Sequence, residues 1–151
     1  MSKRIWSVLI LCACVAACTQ SRYGNFAKQI PPAYNLQLAN DTARQLTAVY
    51  PPASTALHIE QPATDDYGMA LLRSLREAGY AVREFDPRAR TGAPTASTAP
   101  EQAQALNYIV DAPEGGNFYR VTVLLGSESL SRGYAAQNGR LRSLGAWVRK
   151  E

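Results

Sequence analysis

The first eighteen residues constrain this chain most, because they decide which residues are left to fold and in which compartment. Ser2-Lys3-Arg4 is a short basic start, Ile5 to Val15 is an almost unbroken apolar run, and Val15-Ala16-Ala17-Cys18 ends it with small residues before a cysteine. A basic start, a short apolar core and a small-residue cleavage site make a secretory signal peptide. The apolar run is eleven residues, against the roughly twenty that a bilayer-spanning helix needs, so residues 1–17 are expected to be cut off. The last four residues specify lipoprotein signal peptidase: Val15, Ala16 and Ala17 are small enough for the enzyme to approach the backbone, and the Cys18 thiol accepts the diacylglyceryl group. Cys18 then becomes a lipid-bearing amino terminus. Each buried acyl methylene contributes about 0.8 kcal/mol, so two or three chains hold a protein on a bilayer where one does not. Leu11-Cys12-Ala13-Cys14 is a weaker form of the same pattern, with a short apolar core before it.

Removing residues 1–17 from 151 leaves 134, enough for one small domain. Cys12 and Cys14 leave with the signal and Cys18 is lipidated, so the mature domain must hold without a disulfide in an oxidising compartment. Without Lys3 and Arg4 the 16 basic residues fall to 14 against 12 acidic ones. Five of those cations, Arg132, Arg140, Arg142, Arg149 and Lys150, crowd the end of the chain. Such a tail can serve nucleic acid, but charges alternating along strands are more simply the solvated face of a sheet.

Residues 18–34 read as a lipidated start and a polar tether, with Pro31-Pro32 stopping local structure. From residue 35 to 50, Leu38, Leu46 and Val49 with Ala39 and Ala43 share a helical stripe, and Asn40-Asp41-Thr42 offers a start or a polar first turn. Residues 56–60 form a short strand. Thr64-Asp65-Asp66 caps a second helix, whose apolar face is Tyr67, Leu71, Leu72, Leu75 and Ala78 and whose stop is Gly79. Residues 80–85 return as a strand. Residues 86–104, rich in Pro, Ala and Thr and lacking an apolar period, are expected to be a disordered loop. Residues 105–112 and 118–125 are strands about a Pro113-Glu114-Gly115-Gly116-Asn117 turn, and residues 130–137 and 140–148 flank Asn138-Gly139, the preferred two-residue hairpin turn. The class is α+β: a single small domain over residues 35–151, a mostly antiparallel sheet covered by two helices.

No catalytic constellation emerges. His58 is the only histidine and lies in a strand between Leu57 and Ile59, so no histidine-based metal site is buildable. Ser127, Ser129 and Ser131 occupy no nucleophile elbow, and Gly79 and Gly115-Gly116 lack the spacing of a phosphate-cradling loop. Asp65 and Asp66 could pair with Glu77 or Glu84 in acid–base work, but two carboxylates at a helix start suit its free N–H groups better. No cofactor, no metal and no small-molecule substrate are expected.

Three stretches carry a family likeness: Val49-Tyr50-Pro51-Pro52-Ala53-Ser54-Thr55, the run from Leu71 through Gly79-Tyr80-Ala81-Val82, and Leu130-Ser131-Arg132-Gly133-Tyr134 with Gly145-Ala146-Trp147-Val148. With the lipobox, they make the chain resemble the conjugal transfer lipoprotein TrbH family. The resemblance implies a non-catalytic envelope component of the mating-pair formation apparatus, a type IV secretion system. Its partners would be the membrane, through the lipid, and other envelope subunits of that system, without direct nucleic-acid contact. Thr19 after the lipidated cysteine, in place of Asp, favours the periplasmic face of the outer membrane. The alternative is a stand-alone periplasmic lipoprotein that binds a small ligand or cell-wall component between the second helix and the sheet, with Tyr67, Tyr108 or Tyr119 lining the site.

Overall fold

The computed structural model describes residues 22–88, 103–113 and 116–151. Its elements in chain order are β1 (Gly24–Asn25), α1 (Pro32–Val49), β2 (Ala56–Ile59), α2 (Asp66–Glu77), β3 (Ala81–Arg83), β4 (Gln104–Asp111), β5 (Phe118–Leu125), β6 (Glu128–Gln137) and β7 (Arg140–Lys150), with a 3-10 turn at Pro52–Ser54. They form the expected α+β domain, with one seven-stranded sheet in the order β3-β2-β4-β5-β6-β7. Strands β4 to β7 pair antiparallel, while β3, β2 and β4 run parallel.

The expected tether boundary is corrected. β1 pairs parallel with β4, Gly24 opposite Ile109, and Ala27 and Ile30 are buried in the core. The domain therefore begins well before residue 35. Pro31 and Pro32 do not stop structure; they start a helix, with Pro32 in its first turn, where a missing N–H costs nothing and the fixed φ is already helical. Asn40, Asp41 and Thr42 consequently lie in the middle of α1, not at its start.

Both β1 and β2 lie along one edge of β4, end to end. The break between them is bridged by a side chain: Gln61, buried, accepts a hydrogen bond from the Tyr108 backbone N–H at 2.9 Å. A ladder donor that would otherwise be orphaned in the interior is satisfied that way.

The two helices cover one face of the sheet. Leu38, Ala39, Ala43 and Leu46 of α1 and Tyr67, Leu71 and Leu75 of α2 meet Leu57 and Ile59 of β2, Leu106, Tyr108 and Val110 of β4, Val121 and Val123 of β5 and Leu130 of β6 in one core. Alternate residues of each strand supply it, as a half-buried sheet requires. α2 keeps the boundaries its sequence indicated. Asp65 caps its first turn, accepting from Gly68 N at 2.9 Å. At its end Gly79, at φ 92°, lets Tyr80 N reach Leu75 O at 3.1 Å and Gly79 N reach Arg76 O at 3.0 Å, a Schellman stop. Tyr80 is thus a buried residue of the helix end, and β3 is shorter than the strand expected from residue 80 to 85.

The hairpin at Asn138-Gly139 forms as expected, both residues at positive φ. β7 departs from its partner at a bulge opposite Arg132, between the pairs Ser131–Val148 and Gly133–Leu144. Of the expected loop, residues 89–102 lie outside the described residues; its last residue, Gln104, opens β4.

Candidate functional site

Cys18 and its recognition residues Val15, Ala16 and Ala17 lie outside the described residues, so the geometry bears on the domain that follows them. Three polar junctions tie helices to strands there. In the first, Asp65 Oδ2 accepts from the buried Tyr108 hydroxyl at 2.6 Å while Oδ1 caps α2. Tyr108 meets Tyr67 edge-on with ring centroids 5.1 Å apart, and the Tyr67 hydroxyl bonds Thr42 Oγ1 at 2.9 Å. Burial first, then the Asp65 hydrogen bond, pushes the Tyr108 phenol far above its ordinary value, so it stays a neutral donor.

The second junction is centred on Asp41, halfway along α1. Its carboxylate accepts from Tyr134 Oη at 2.6 Å, Arg132 Nη1 at 2.9 Å and Arg44 Nη2 at 2.9 Å. Burial works to raise the Asp41 pKa, but the Tyr134 hydrogen bond and the Arg132 charge outweigh it and hold the carboxyl below its usual value. The Arg132 guanidinium also lies 5.9 Å from the Tyr134 ring centroid. In the third junction Glu128 takes hydrogen bonds from Tyr50 and, at 2.7 Å, from Arg149. Burial and that carboxylate push the Tyr50 phenol up to about 12.

These contacts tie helices to strands. Each carboxylate is committed to donors on another element, and each tyrosine hydroxyl is held protonated. His58 faces Arg83, whose Nη2 is 3.1 Å from Nδ1; burial and that charge lower its pKa. Glu84 pairs with Arg76 at 2.5 Å, away from Asp65 and Asp66, so the imagined acid–base pair is not assembled. Ser131 bonds Thr122 across the sheet at 3.1 Å. Among the described residues, no group of three His, Cys, Asp or Glu is placed to hold a metal, and no helix is long and apolar enough to cross a membrane.

The tyrosines proposed to line a ligand site are corrected by their burial: Tyr67 and Tyr108 are 0 % exposed and Tyr119 is 7 % exposed. They fill the helix–sheet interface themselves. An open groove of about 780 Å³ lies instead between α1 and α2, lined by Leu36, Asn40, Ala43, Thr47, Ser74 and Ala78 among others. Of the C-terminal cations, Arg132 and Arg149 are ion-paired, whereas Arg140, Arg142 and Lys150 are exposed.

Asp41 is the hub the sequence does not announce. It sits in a polar triplet that resembles a helix start, and its strand partners are 91 and 93 residues away. The available signal was its position on the same helix face as Leu38, which should have marked it as inward-facing.

Comparison with known proteins returns one family: the model of conjugal transfer protein TrbH matches residues 20–151. Neither the curated proteins nor the solved structures yield a match.

Proposed function

Because the chain belongs to the conjugal transfer protein TrbH family, and so is a component of conjugal transfer, we propose that it is a lipid-anchored, non-catalytic structural subunit of the mating-pair formation apparatus. One observation carries the finer reading: the lipobox Val15-Ala16-Ala17-Cys18 stands immediately before the matched domain, which starts at residue 20. A lipid at Cys18 places the chain in the cell envelope, on the periplasmic face of a membrane, with Thr19 favouring the outer one. Supporting it, the polar clusters of the domain join helices to strands. The reading as a stand-alone ligand-binding lipoprotein loses its lining, since the tyrosines it invoked are core residues.

The test is purification of full-length protein from membranes of a host carrying the whole transfer operon, with mass spectrometry of co-eluting proteins and of the N-terminal peptide. Secretion-channel subunits at a fixed ratio and an acylated peptide beginning at Cys18 are the expected result. Wild-type plasmid transfer by a Cys18→Ser variant free in the periplasm would show that anchoring is no part of the role.

A further inference from the structure

The sheet ends on two unequal strands. At one end β3 has 3 residues; at the other β7 has 11, and among the described residues no strand lies beyond it. An edge strand offers its outer N–H and C=O groups to another chain, and most proteins keep such edges short or covered. The two-residue turn at Asn138-Gly139 makes Gln137–Arg140 the first bonded pair of the β6–β7 ladder, and bonded and non-bonded pairs alternate from there. Leu141, opposite Ala136, and Ser143, opposite Tyr134, therefore turn their backbone groups away from β6. Two contacts agree: Ala136 N bonds Asn117 O on the β5 side, and Leu141 O accepts from Gln37 Nε2 of α1 at 2.9 Å. Past that tie, Ser143 borders an open cleft of about 420 Å³ that Arg44 and Leu141 also line.

The side chains of β7 are as one-sided as its backbone. Leu130 and Tyr134 of β6 face the helices, so Ser129, Ser131, Gly133, Ala135 and Gln137 lie on the uncovered face of the sheet. Their partners Lys150, Val148, Leu144, Arg142 and Arg140 share that face. Leu144 and Val148, 49 % and 66 % exposed, are apolar residues in solvent with exposed cations on either side of them. Among the described residues none of Arg140, Arg142 and Lys150 is in an ion pair. The acids that reach β7, Glu128 and Glu151, both meet Arg149, and Asp111, on the uncovered face of β4, is held by Arg120 at 2.6 Å.

A second copy of the chain does not suit this edge. Where two β7 strands overlap antiparallel over all 11 residues, Arg140 falls opposite Lys150; a slip of one residue either way sets Arg140 opposite Arg149 or Arg142 opposite Arg149. Like charges directly across a strand pair repel, and opposite ones attract. We propose that β7 takes up an extended segment of another protein subunit as a further strand, with apolar side chains against Leu144 and Val148 and carboxylates against Arg140, Arg142 and Lys150. The proposal rests on the reading of the chain as a structural subunit, and it supplies the surface and the partner chemistry of that role. Backbone bonds at the edge attract any extended chain, and the side chains select among them. The bulge between the pairs Ser131–Val148 and Gly133–Leu144 divides the added strand into two short runs.

The full-length protein, with p-benzoylphenylalanine in place of Val148, is irradiated in a host carrying the whole transfer operon, and the cross-linked peptides are sequenced by mass spectrometry. The expected adduct joins β7 to a segment of another transfer subunit in which carboxylates flank apolar residues. Two variants test how it is held. Ser143→Pro removes an outward N–H and spares the bonds to β6, while Arg142→Glu with Lys150→Glu reverses the charge on both sides of the apolar pair. Each should lower the adduct about tenfold with an unchanged melting temperature; if Ser143→Pro does not fold, the charge reversal decides. An adduct between two β7 strands, or one undiminished in either folded variant, overturns the proposal and leaves the subunit reading standing. So does the absence of any adduct while transfer subunits co-purify at a fixed ratio. Purified protein without transfer subunits overturns the subunit reading, and the proposal with it.

Discussion

Asp65 and Asp41 do the same job in two parts of the molecule. Asp65 caps α2 and Asp41 lies within α1, and each accepts a 2.6 Å hydrogen bond from a tyrosine on a strand, Tyr108 for Asp65 and Tyr134 for Asp41. Their settings differ. Asp65 divides its two oxygens between a helix cap and a fully buried phenol, so local and tertiary structure depend on one side chain. Asp41 is in mid-helix, has no local duty beyond an i,i+3 pair with Arg44, and joins α1 to β6 through a partly exposed cluster. A carboxylate that serves two levels of structure at once should matter more than one that serves a single level.

The largest effect should come from Asp65→Ala. Loss of a helix cap costs about 1 kcal/mol and an orphaned buried hydroxyl costs about 2 kcal/mol, so chemical denaturation should show a loss near 3 kcal/mol. Gly68→Ala tests the same junction from the other side. Alanine normally favours a helix by about 1 kcal/mol over glycine, but here a Cβ would run into the Tyr108 hydroxyl, with Ala63 Cα 3.0 Å away. Overpacking of this kind costs about 2 kcal/mol. Gly68→Ala should therefore destabilise, and adding Tyr108→Phe should recover part of the loss; a more stable Gly68→Ala protein would contradict the close approach.

Asp41→Ala should cost about 2 kcal/mol, because the Tyr134 hydroxyl loses its acceptor and Arg132 its counter-ion in a half-buried site. Its double-mutant cycle with Arg132→Ala should show coupling of about 1 kcal/mol. Acid sharpens the contrast further. The folded pKa of Asp41 is lowered, so its contribution is complete above the unfolded value near 3.9 and is lost as pH falls from there through the folded value. Thermal melts between about pH 2 and pH 5 should fall less steeply for Asp41→Asn than for the parent protein. The smallest effect should be that of Arg120→Ala. Its pair with Asp111 is solvent-exposed, and such pairs contribute less than about 1 kcal/mol.

The same comparison shows what a sequence can disclose. Asp65 was legible because its signal is local: a capping residue, a helix-period stripe and a terminal glycine follow one another within fifteen residues of chain. The hairpin at Asn138-Gly139 was legible for the same reason, and so was the α+β class. Asp41 was not, because its partners are set by how α1 lies across the sheet. Nor was β1, whose two residues have no period of their own and are ordered by distant partners, the ladder with Ile109 and Val110 and the bond from Asn25 to Asn35. Pro31-Pro32 misled, since the pair that ends structure in one context supplies a first helical turn in another. The expected ligand-lining tyrosines failed on volume: three large rings at a helix–sheet interface fill it.

The slightness of β1 has a mechanical consequence. An anchored subunit bears load at its N-terminus, and here the load would arrive first at a strand with only two ladder pairs, Gly24–Ile109 and Asn25–Val110. α1 is held independently by Gln37 on Leu141 O, by Asp41 and by its own core stripe. Under tension β1 should peel away before the helix moves and release the chain as far as Pro31, seven residues whose full extended length is at most about 25 Å. Single-molecule pulling from residue 18 should record that short extension as a separate step before the sheet unfolds. The domain would then give under strain like a belt with one spare notch, lengthening its reach while its core stays shut.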